Sequence, residues 1–458
     1  MGFSPTKAAI RFGEGLSPDL PPPQSIEDIL GQLASRDTVA DLHPVPVFSA
    51  LLPDFAAVTN ARRAARRGRD TDDAEALDDA YRDARRTLVR SQISDAKQMF
   101  ARSIITEAPF RERLVRFWGD HFTVVGTNAM MRNAVPHYLE EAIRPHVAGR
   151  FADMLKAVVT HPMMLLYLDQ SSSFGPNSPA ARGRRGLNEN FARELLELHI
   201  LGVGHSYAQA DVHEMAKLLT GLTANAAQGF SFRPNRAEPG AEIILGRSYG
   251  GESANLADIF EALENLALHP TTANHLARKL AVHFTSDTPD PAMVDAMAGA
   301  YRDADGALMP MYNAMLNHRF SWESFGQKVK QPIDFVTSAF RALSLPTRSV
   351  ERLKLNKLRS YVAGPLSAMG QPLFQPDGPD GWPEAAEDWI TPQGLAARLQ
   401  WSMAAPSAFY RGLPDPRGFA ESALADLADD RVRFVARSAE TRREGIGLIL
   451  SSPAFQRR

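Results

Sequence analysis

The chain has no cysteine. That absence excludes disulfides, zinc–thiolate centres, iron–sulfur clusters, thioether-linked haem and cysteine nucleophiles. Lysine is scarce as well: 9 of the 51 basic residues, the other 42 being arginine. The formal net charge is only −2. A generic nucleic-acid binder carries a basic excess, so no nucleic-acid partner is expected, and a DNA-binding regulator is the weakest functional reading. Arginine without net positive charge reads as codon usage in a GC-rich genome. No apolar run approaches the roughly 18 residues that span a bilayer, so no transmembrane segment is expected. Met1 to Lys7 is not followed by an apolar signal-type stretch. As the chain stands it reads as cytoplasmic; with a trimmed leader it would be periplasmic or secreted. No phosphate-binding loop and no dinucleotide fingerprint occurs.

Metal-binding spacings are missing too. None of the 12 histidines has an acidic residue three positions before it, which removes the Glu-x-x-His signature of di-metal bundles. His213-Glu214 would need a second histidine at position 217, where Lys217 stands, so the zincin pattern fails. Any metal here would be a divalent ion held by carboxylates.

What is present is helical periodicity. Helices are expected at about 71–106, 109–122, 150–160, 187–201, 207–221, 254–267, 271–284, 291–303, 328–344, 350–368, 393–403 and 438–450. Ser25 to Asp28, after three prolines, reads as a capping-box-like start with aspartate in the Glu/Gln place. The mixed charges from Arg62 to Asp79 read as a solvated face. Short apolar runs at Phe230–Arg233 and Glu242–Leu245 predict one small β-hairpin within 224–250. Two long loops are expected. One covers 170–186, including Gly183; the other covers 370–392, rich in glycine and proline around Trp382 and Trp389. Loops of that length inside compact domains often carry function.

Two sharper motifs lack their context. Gly246-Arg247-Ser248-Tyr249-Gly250 matches G-x-S-x-G, but the following helix starts too late for a nucleophile elbow. Asp303-Ala304-Asp305-Gly306 opens like a calcium loop and then runs into Leu308, Met309 and Pro310, so a helix-ending turn is expected.

The constellation that survives is the helix pair at 188–221. Phe191, Leu195 and Leu198 share one face of the first helix; Asn190, Glu194 and Glu197 share another. The second helix brings Asp211 and Glu214 to a common side. Four carboxylates on neighbouring helices can bind a divalent ion or act as an acid/base pair. The same residues can instead form ion pairs, Glu189–Arg193 and Arg193–Glu197, on a solvated face. His121 at the end of its helix is a second candidate, either as a base or as a hydrogen-bonded core residue. Arg278 or Lys279 could orient an anion.

These blocks also carry a resemblance. Phe117-Trp118-Gly119-Asp120-His121-Phe122, Asn188-Glu189-Asn190, Ala192-Arg193-Glu194, Glu197-Leu198-His199, Arg278-Lys279-Leu280, Lys330 with Pro332, Gly370-Gln371, Gly381-Trp382-Pro383 and Ser452-Pro453-Ala454-Phe455-Gln456 resemble, in order, the bacterial domain-of-unknown-function family 1800. The resemblance spans the chain and implies one mostly helical unit over 1–458. That unit has an N-terminal arm (1–60), a helical core (71–222), a hairpin insert (224–250) and a C-terminal helical part (254–458). Length alone would suggest two or three domains. The family carries no established activity. Its association with export signals and with a sulfatase-like neighbour implies an envelope or polymer-related role. Two departures are visible: there is no export signal, and Ala237 stands where similar proteins tend to carry histidine.

The expected fold is all-α, one large multi-helix domain with a small β-hairpin and a long Gly/Pro/Trp loop region near the end. The expected function is enzyme-like: a carboxylate-rich polar site between helices acting on an envelope polymer or another small or anionic substrate. Glu194, Glu197, Asp211, Glu214 and His121 are its catalytic candidates; Asn190, Arg193, Arg278, Lys330 and Trp382 are its binding candidates. The alternative is a non-catalytic scaffold partnering a sulfatase-like protein.

Overall fold

The structure, a computed structural model, describes residues 2–126, 128–181, 186–204, 207–410 and 412–458. It is mainly helical, with two two-stranded antiparallel sheets. No helix among the described residues is long and apolar enough to cross a membrane. Helices form where the amphipathic pattern is sustained, as at Pro109–His121 and Pro270–Phe284. The start at Ser25 is capped as its sequence dictates. Ser25 Oγ accepts from the Asp28 N–H at 3.1 Å, and Asp28 Oδ2 accepts from the Gln24 N–H at 2.8 Å. The charged face of Ala74–Ile105 is solvated, with Arg86 pairing to Asp83 at 3.1 Å. Gly183 of the first long loop lies outside the described residues.

Three local differences from the expected pattern have physical causes. The stretch 350–368 is broken into short helices with a π-helical turn at Arg359–Ala363. Pro365 cannot donate an N–H and would crowd the carbonyl four residues back, and the wider turn relieves that. The stretch 438–450 divides because Thr441 caps a new helix, accepting from the Glu444 N–H at 3.1 Å. The single hairpin within 224–250 is instead two. Strand β1 (Leu222–Asn225) pairs with β2 (Gly229–Phe232), and β3 (Gly240–Ile244) pairs with β4 (Arg247–Gly251). Each closes on its own turn. Leu245 and Gly246 have φ of 49° and 76°, the pair of left-handed residues that a two-residue hairpin turn requires. Ser248 therefore lies in β4, and the next helix begins at Leu256, so the G-x-S-x-G match has no elbow geometry.

The apolar interior falls into two large clusters. One is built from residues between Ala8 and Trp322; the other from Phe100, Ile104 and residues between Phe335 and Phe455. Helix Ala74–Ile105 contributes to both, with Leu88 in the first and Phe100 in the second. Between the clusters runs a buried seam of charge. Asp334 takes Arg113 and Arg116 at 3.1 Å each, and also Arg458; Glu14 takes Arg116 at 2.6 Å. Buried ions need such mutual pairing, since each alone would carry a desolvation penalty of several kcal/mol. The seam positions the site described next.

Candidate functional site

Helix Pro109–His121 has two faces of different character. Phe110, Leu114, Phe117 and Trp118 enter the first core. Glu112, Arg116 and Asp120, four residues apart, share the other side, as helical spacing requires. That side forms one wall of a cavity of about 140 Å³. Met99 and Phe100 of helix Ala74–Ile105 form a second wall. Ile333 and Thr337 of helix Pro332–Ala342 form a third, and Leu373, Phe374 and Trp382 close it from the long loop. The walls are mostly apolar, with a few polar groups converging: the kind of concavity that binds small molecules.

The loop is tied down at both ends. At its start, Gln371 Oε1 accepts the Ile333 N–H at 2.8 Å. At its end, the Trp382 N–H donates to Asp120 Oδ1 at 2.9 Å. Gly381 is required there: its φ is +84°, and a Cβ would lie 2.7 Å from both the backbone oxygen and Oδ1 of Asp120. Two residues after Trp382, Glu384 Oε1 accepts from His283 Nδ1 at 2.6 Å and Glu384 Oε2 pairs with Lys328 at 3.0 Å. His283 Nε2 lies 3.2 Å from Arg113 Nη2. Arginine can only donate, so Nε2 accepts and Nδ1–H is the donor to Glu384. Phe374, inside the loop, has φ 55°, a left-handed conformation uncommon for a bulky residue.

Burial pushes the Asp120 carboxyl up to about 8; the charge of Glu384 adds to the rise, while the Trp382 N–H opposes it. Burial acts the same way on Glu384, but its hydrogen bonds and ion pairing with His283 and Lys328 outweigh it and hold that carboxyl below the usual carboxylate range. The two carboxyls are therefore driven apart, one neutral and one ionised near pH 7. Beside them Lys279 is lowered by burial, against the opposing pull of Asp120, Glu384 and Asp380. Lys279 follows His275 and precedes His283 by four residues, so all three share one stripe of helix Pro270–Phe284.

The sequence candidates are distributed differently from the expected cluster. Trp382 is on the cavity wall. Glu194 is half-buried and raised by burial and then by Glu197 and Asp380, which places its charge near the loop. Glu197 pairs with Arg193 at 3.4 Å, and Arg193 also holds Glu189 at 3.5 Å: the ion-paired arrangement. Asn190 is exposed at the helix start, and Arg278 is exposed on the outer side of its helix. Asp211 and Glu214 have structural work. Asp211 accepts the Ala208 N–H at 2.7 Å and the Leu245 N–H at 2.8 Å. Glu214 pairs with Lys217 at 2.6 Å and accepts the Ile243 N–H at 3.3 Å. Three of their four oxygens cap the helix or dock the β3–β4 hairpin, and the fourth, Glu214 Oε1, is taken by Lys217. Among the described residues no group of three or more His, Asp or Glu is placed to hold a metal ion. Lys330 is buried in the charge seam, donating to Ser338 Oγ at 3.1 Å, and burial lowers it to about 7.

His121 sits on the apolar side of its helix, with Nε2 3.0 Å from the His199 carbonyl oxygen. His199 is itself turned into the core by a π-helical segment at Leu195–Ile200. The wider π turn sets buried pairs at 191/192, 195/196 and 199/200, so His199 faces inward where Leu198 was expected. Ala237 is buried; a Cβ on Gly221 would stand 3.0 Å from its methyl group.

The site residues that sequence reasoning passes over are Asp120, Glu384 and His283. Asp120 was inside a recognised motif, and its four-residue spacing from Arg116 and Glu112 is the signal that separates it from His121.

The fold and site thus define a mainly helical protein with one loop-closed cavity between two cores. Residues 1–457 match the family described as Protein of unknown function (DUF1800), and the chain belongs to that family. No curated protein and no solved structure matches it.

Proposed function

We propose that the protein acts on a small, largely apolar molecule held in this cavity, with Asp120 as its acid–base group. The observation that carries the reading is the position of Asp120. It lies on the cavity wall, fixed by the Trp382 N–H, with a carboxyl raised to about 8 by burial. A carboxyl kept protonated near neutral pH can give a proton to a developing oxyanion or leaving group and take it back afterwards. The apolar walls keep competing water away from that step. An envelope polymer would enter as a terminal unit or side group, because the cavity takes only about one ring.

The test is a ligand-observed NMR screen of single-ring compounds against the wild type and a cavity-filling Leu373→Trp variant. The reading predicts binders that the filled variant loses. It also predicts that Asp120→Asn keeps binding and loses turnover of any substrate found. Equal binding to the filled variant contradicts it.

A second reading, docking to another protein of sulfatase-like type, has one supporting feature. Ile390, Leu395 and Leu399 are exposed on or beside helix Pro392–Phe409, with the two leucines one turn apart. Leu395→Glu with Leu399→Glu would abolish such a complex and leave ligand binding in the cavity intact.

A further inference from the structure

Asp95 and His137 meet in the interior, on two elements that wall the cavity. Asp95 stands one helical turn before Met99 on helix Ala74–Ile105. His137 stands between Val135 and Leu139. Met99, Val135 and Leu139 all line the cavity. His137 Nε2 and Asp95 Oδ2 are 3.4 Å apart. Both atoms are shielded from solvent, and neither has a hydrogen-bond partner among the described residues.

The pair is one proton short. The Pro46 carbonyl oxygen lies 2.7 Å from His137 Nδ1 and can only accept, so Nδ1 carries a hydrogen and donates it. In the neutral imidazole Nε2 is then a bare acceptor, and an ionised carboxylate is an acceptor as well. Two acceptors side by side in the interior lose their hydrogen bonds and repel each other. A single proton between them removes both defects. The gap of 3.4 Å is long for a made hydrogen bond, so the proton would also draw the two atoms together.

Among the described residues the charged groups on the surrounding elements are engaged elsewhere. On the same helix, Lys97 donates to the Glu351 and Leu353 carbonyl oxygens, Arg102 pairs with Glu140, and Arg90 is exposed. Beyond His137, Glu141 accepts the Ser49 N–H at 2.7 Å. His43 and Glu351 pair at 3.2 Å, and Asp41 pairs with Arg36 at 2.9 Å. Helix Leu52–Arg67 keeps Asp54 and its arginines exposed, and Arg132 and Arg348 are exposed too. Glu112 is held by Arg144, Asp334 by Arg116, and Arg341 donates to the Ile104 carbonyl oxygen. Burial alone raises the Asp95 carboxyl to about 6. Burial also lowers the His137 imidazole, against the opposing pull of the Pro46 oxygen, so the acid is the better carrier of the proton.

We propose that Asp95 and His137 share one buried proton, and that this proton is a clamp joining the Met99 wall of the cavity to the Val135–Leu139 wall. Protonated Asp95 Oδ2 donates to His137 Nε2, and loss of the proton leaves two acceptors that push the walls apart. Asp95 sits above its ordinary value of 3.8, so the clamp is closed in mild acid and is released as pH rises through about 6. The clamp goes beyond the reading of the cavity as a binding site: it would set the spacing of these walls whichever ligand the cavity takes.

The test follows the Met99 methyl signal of the ¹³C-methyl-methionine full chain, without ligand, from about pH 4.5 to about pH 8.5. The wild-type signal should move with a midpoint near 6. Asp95→Asn puts an amide in place of the acid, and its N–H₂ donates to His137 Nε2 at every pH. That variant should lack the transition near 6 and hold the low-pH position of the signal. Any movement near 8 belongs to Asp120 and should remain in the variant. A wild-type signal that does not move near 6, or a transition near 6 that survives in Asp95→Asn, overturns the clamp. Should Asp95→Asn fail to fold, the imidazole ¹⁵N and carboxyl ¹³C signals of the wild type decide. The His137 Nε2 signal moves downfield, toward that of a free acceptor, as Asp95 ionises near 6, while Nδ1 keeps its hydrogen. An Nε2 signal that stays still through that titration, or an Asp95 carboxyl that titrates at its ordinary value, overturns the clamp.

Discussion

The backbone N–H of Trp382 donates to Asp120 Oδ1 at 2.9 Å, joining positions 262 apart in the chain. This bond fastens the loop that closes the cavity to the acid that the cavity contains. Gly381 makes it geometrically feasible. Gly381→Ala would combine a strained left-handed residue with a Cβ inside the contact distance of Asp120. The expected loss is about 1–3 kcal/mol in urea unfolding, with faster proteolysis confined to 370–392.

The raised carboxyl of Asp120 makes a signed prediction. Its folded pKa of about 8 lies above the ordinary aspartate value of 3.8, so between those values the folded chain holds a proton that the unfolded chain has lost. Its contribution to stability therefore falls as pH rises from about 4 to about 8 and is level outside that window. Asp120→Asn keeps an acceptor for the Trp382 N–H and removes the ionisation. The variant should match the wild type near pH 4 and exceed it at pH 8.5, by on the order of 5 kcal/mol. Thermal melts across pH check this.

Glu384 has the opposite sign. Its carboxyl is held below the usual carboxylate range by His283 and Lys328, so its contribution is present above that range and is lost as pH falls below it. Glu384→Gln leaves the Lys328 ammonium paired to Asp287 alone, at 2.7 Å. A loss of roughly 2 kcal/mol at pH 7 is expected, shrinking as the pH is lowered. Urea titrations at pH 7 and pH 3 provide the comparison.

Lys330 stands in a seam already rich in arginine, and burial lowers it to about 7. Between about 7 and 10.5 the unfolded chain binds a proton that the folded chain does not. Stability from this group therefore rises with pH over that window. Lys330→Met preserves the volume and removes the buried amine. It should cost no more than about 1 kcal/mol at pH 7 and abolish the rise at high pH. Chemical denaturation at pH 7 and pH 10 distinguishes this from a ligand-binding role, which would leave stability unchanged and weaken binding.

Asp211 and Glu214 separate the capping role from a metal-binding one. Asp211→Ala removes acceptors from two backbone N–H groups and should destabilise by about 1–2 kcal/mol. Addition of Mg²⁺ or Ca²⁺ should leave the wild-type melting temperature unchanged, since these oxygens are engaged by the helix start, the hairpin and Lys217. A metal-dependent rise lost in Asp211→Ala would contradict the assignment.

Much of the helical architecture was legible because amphipathic spacing and capping act locally. The loop at 370–392 is legible for the same reason, since its glycines and prolines cannot continue a helix. Asp120 was within reach of the same spacing argument, being four residues from Arg116, but His121 is the more familiar catalytic type. The four-carboxylate cluster dissolved because Asp211 and Glu214 satisfy the β3–β4 hairpin, a partner about thirty residues away whose docking no local pattern encodes. The inward turn of His199 depends on a π-helical segment, and the buried contact of Asp95 depends on His137 of a different helix. Both arise from tertiary packing and leave no periodic trace.

The central claim is that the cavity beside Asp120 is where a ligand binds. Among the described methionines Met99 alone lines it, so its methyl group is a built-in reporter. Titration of cyclohexanone into ¹³C-methyl-methionine protein should shift and saturate the Met99 signal while the other methionine signals stay in place. Shifts at other methionines with Met99 unmoved would place binding elsewhere and contradict the account.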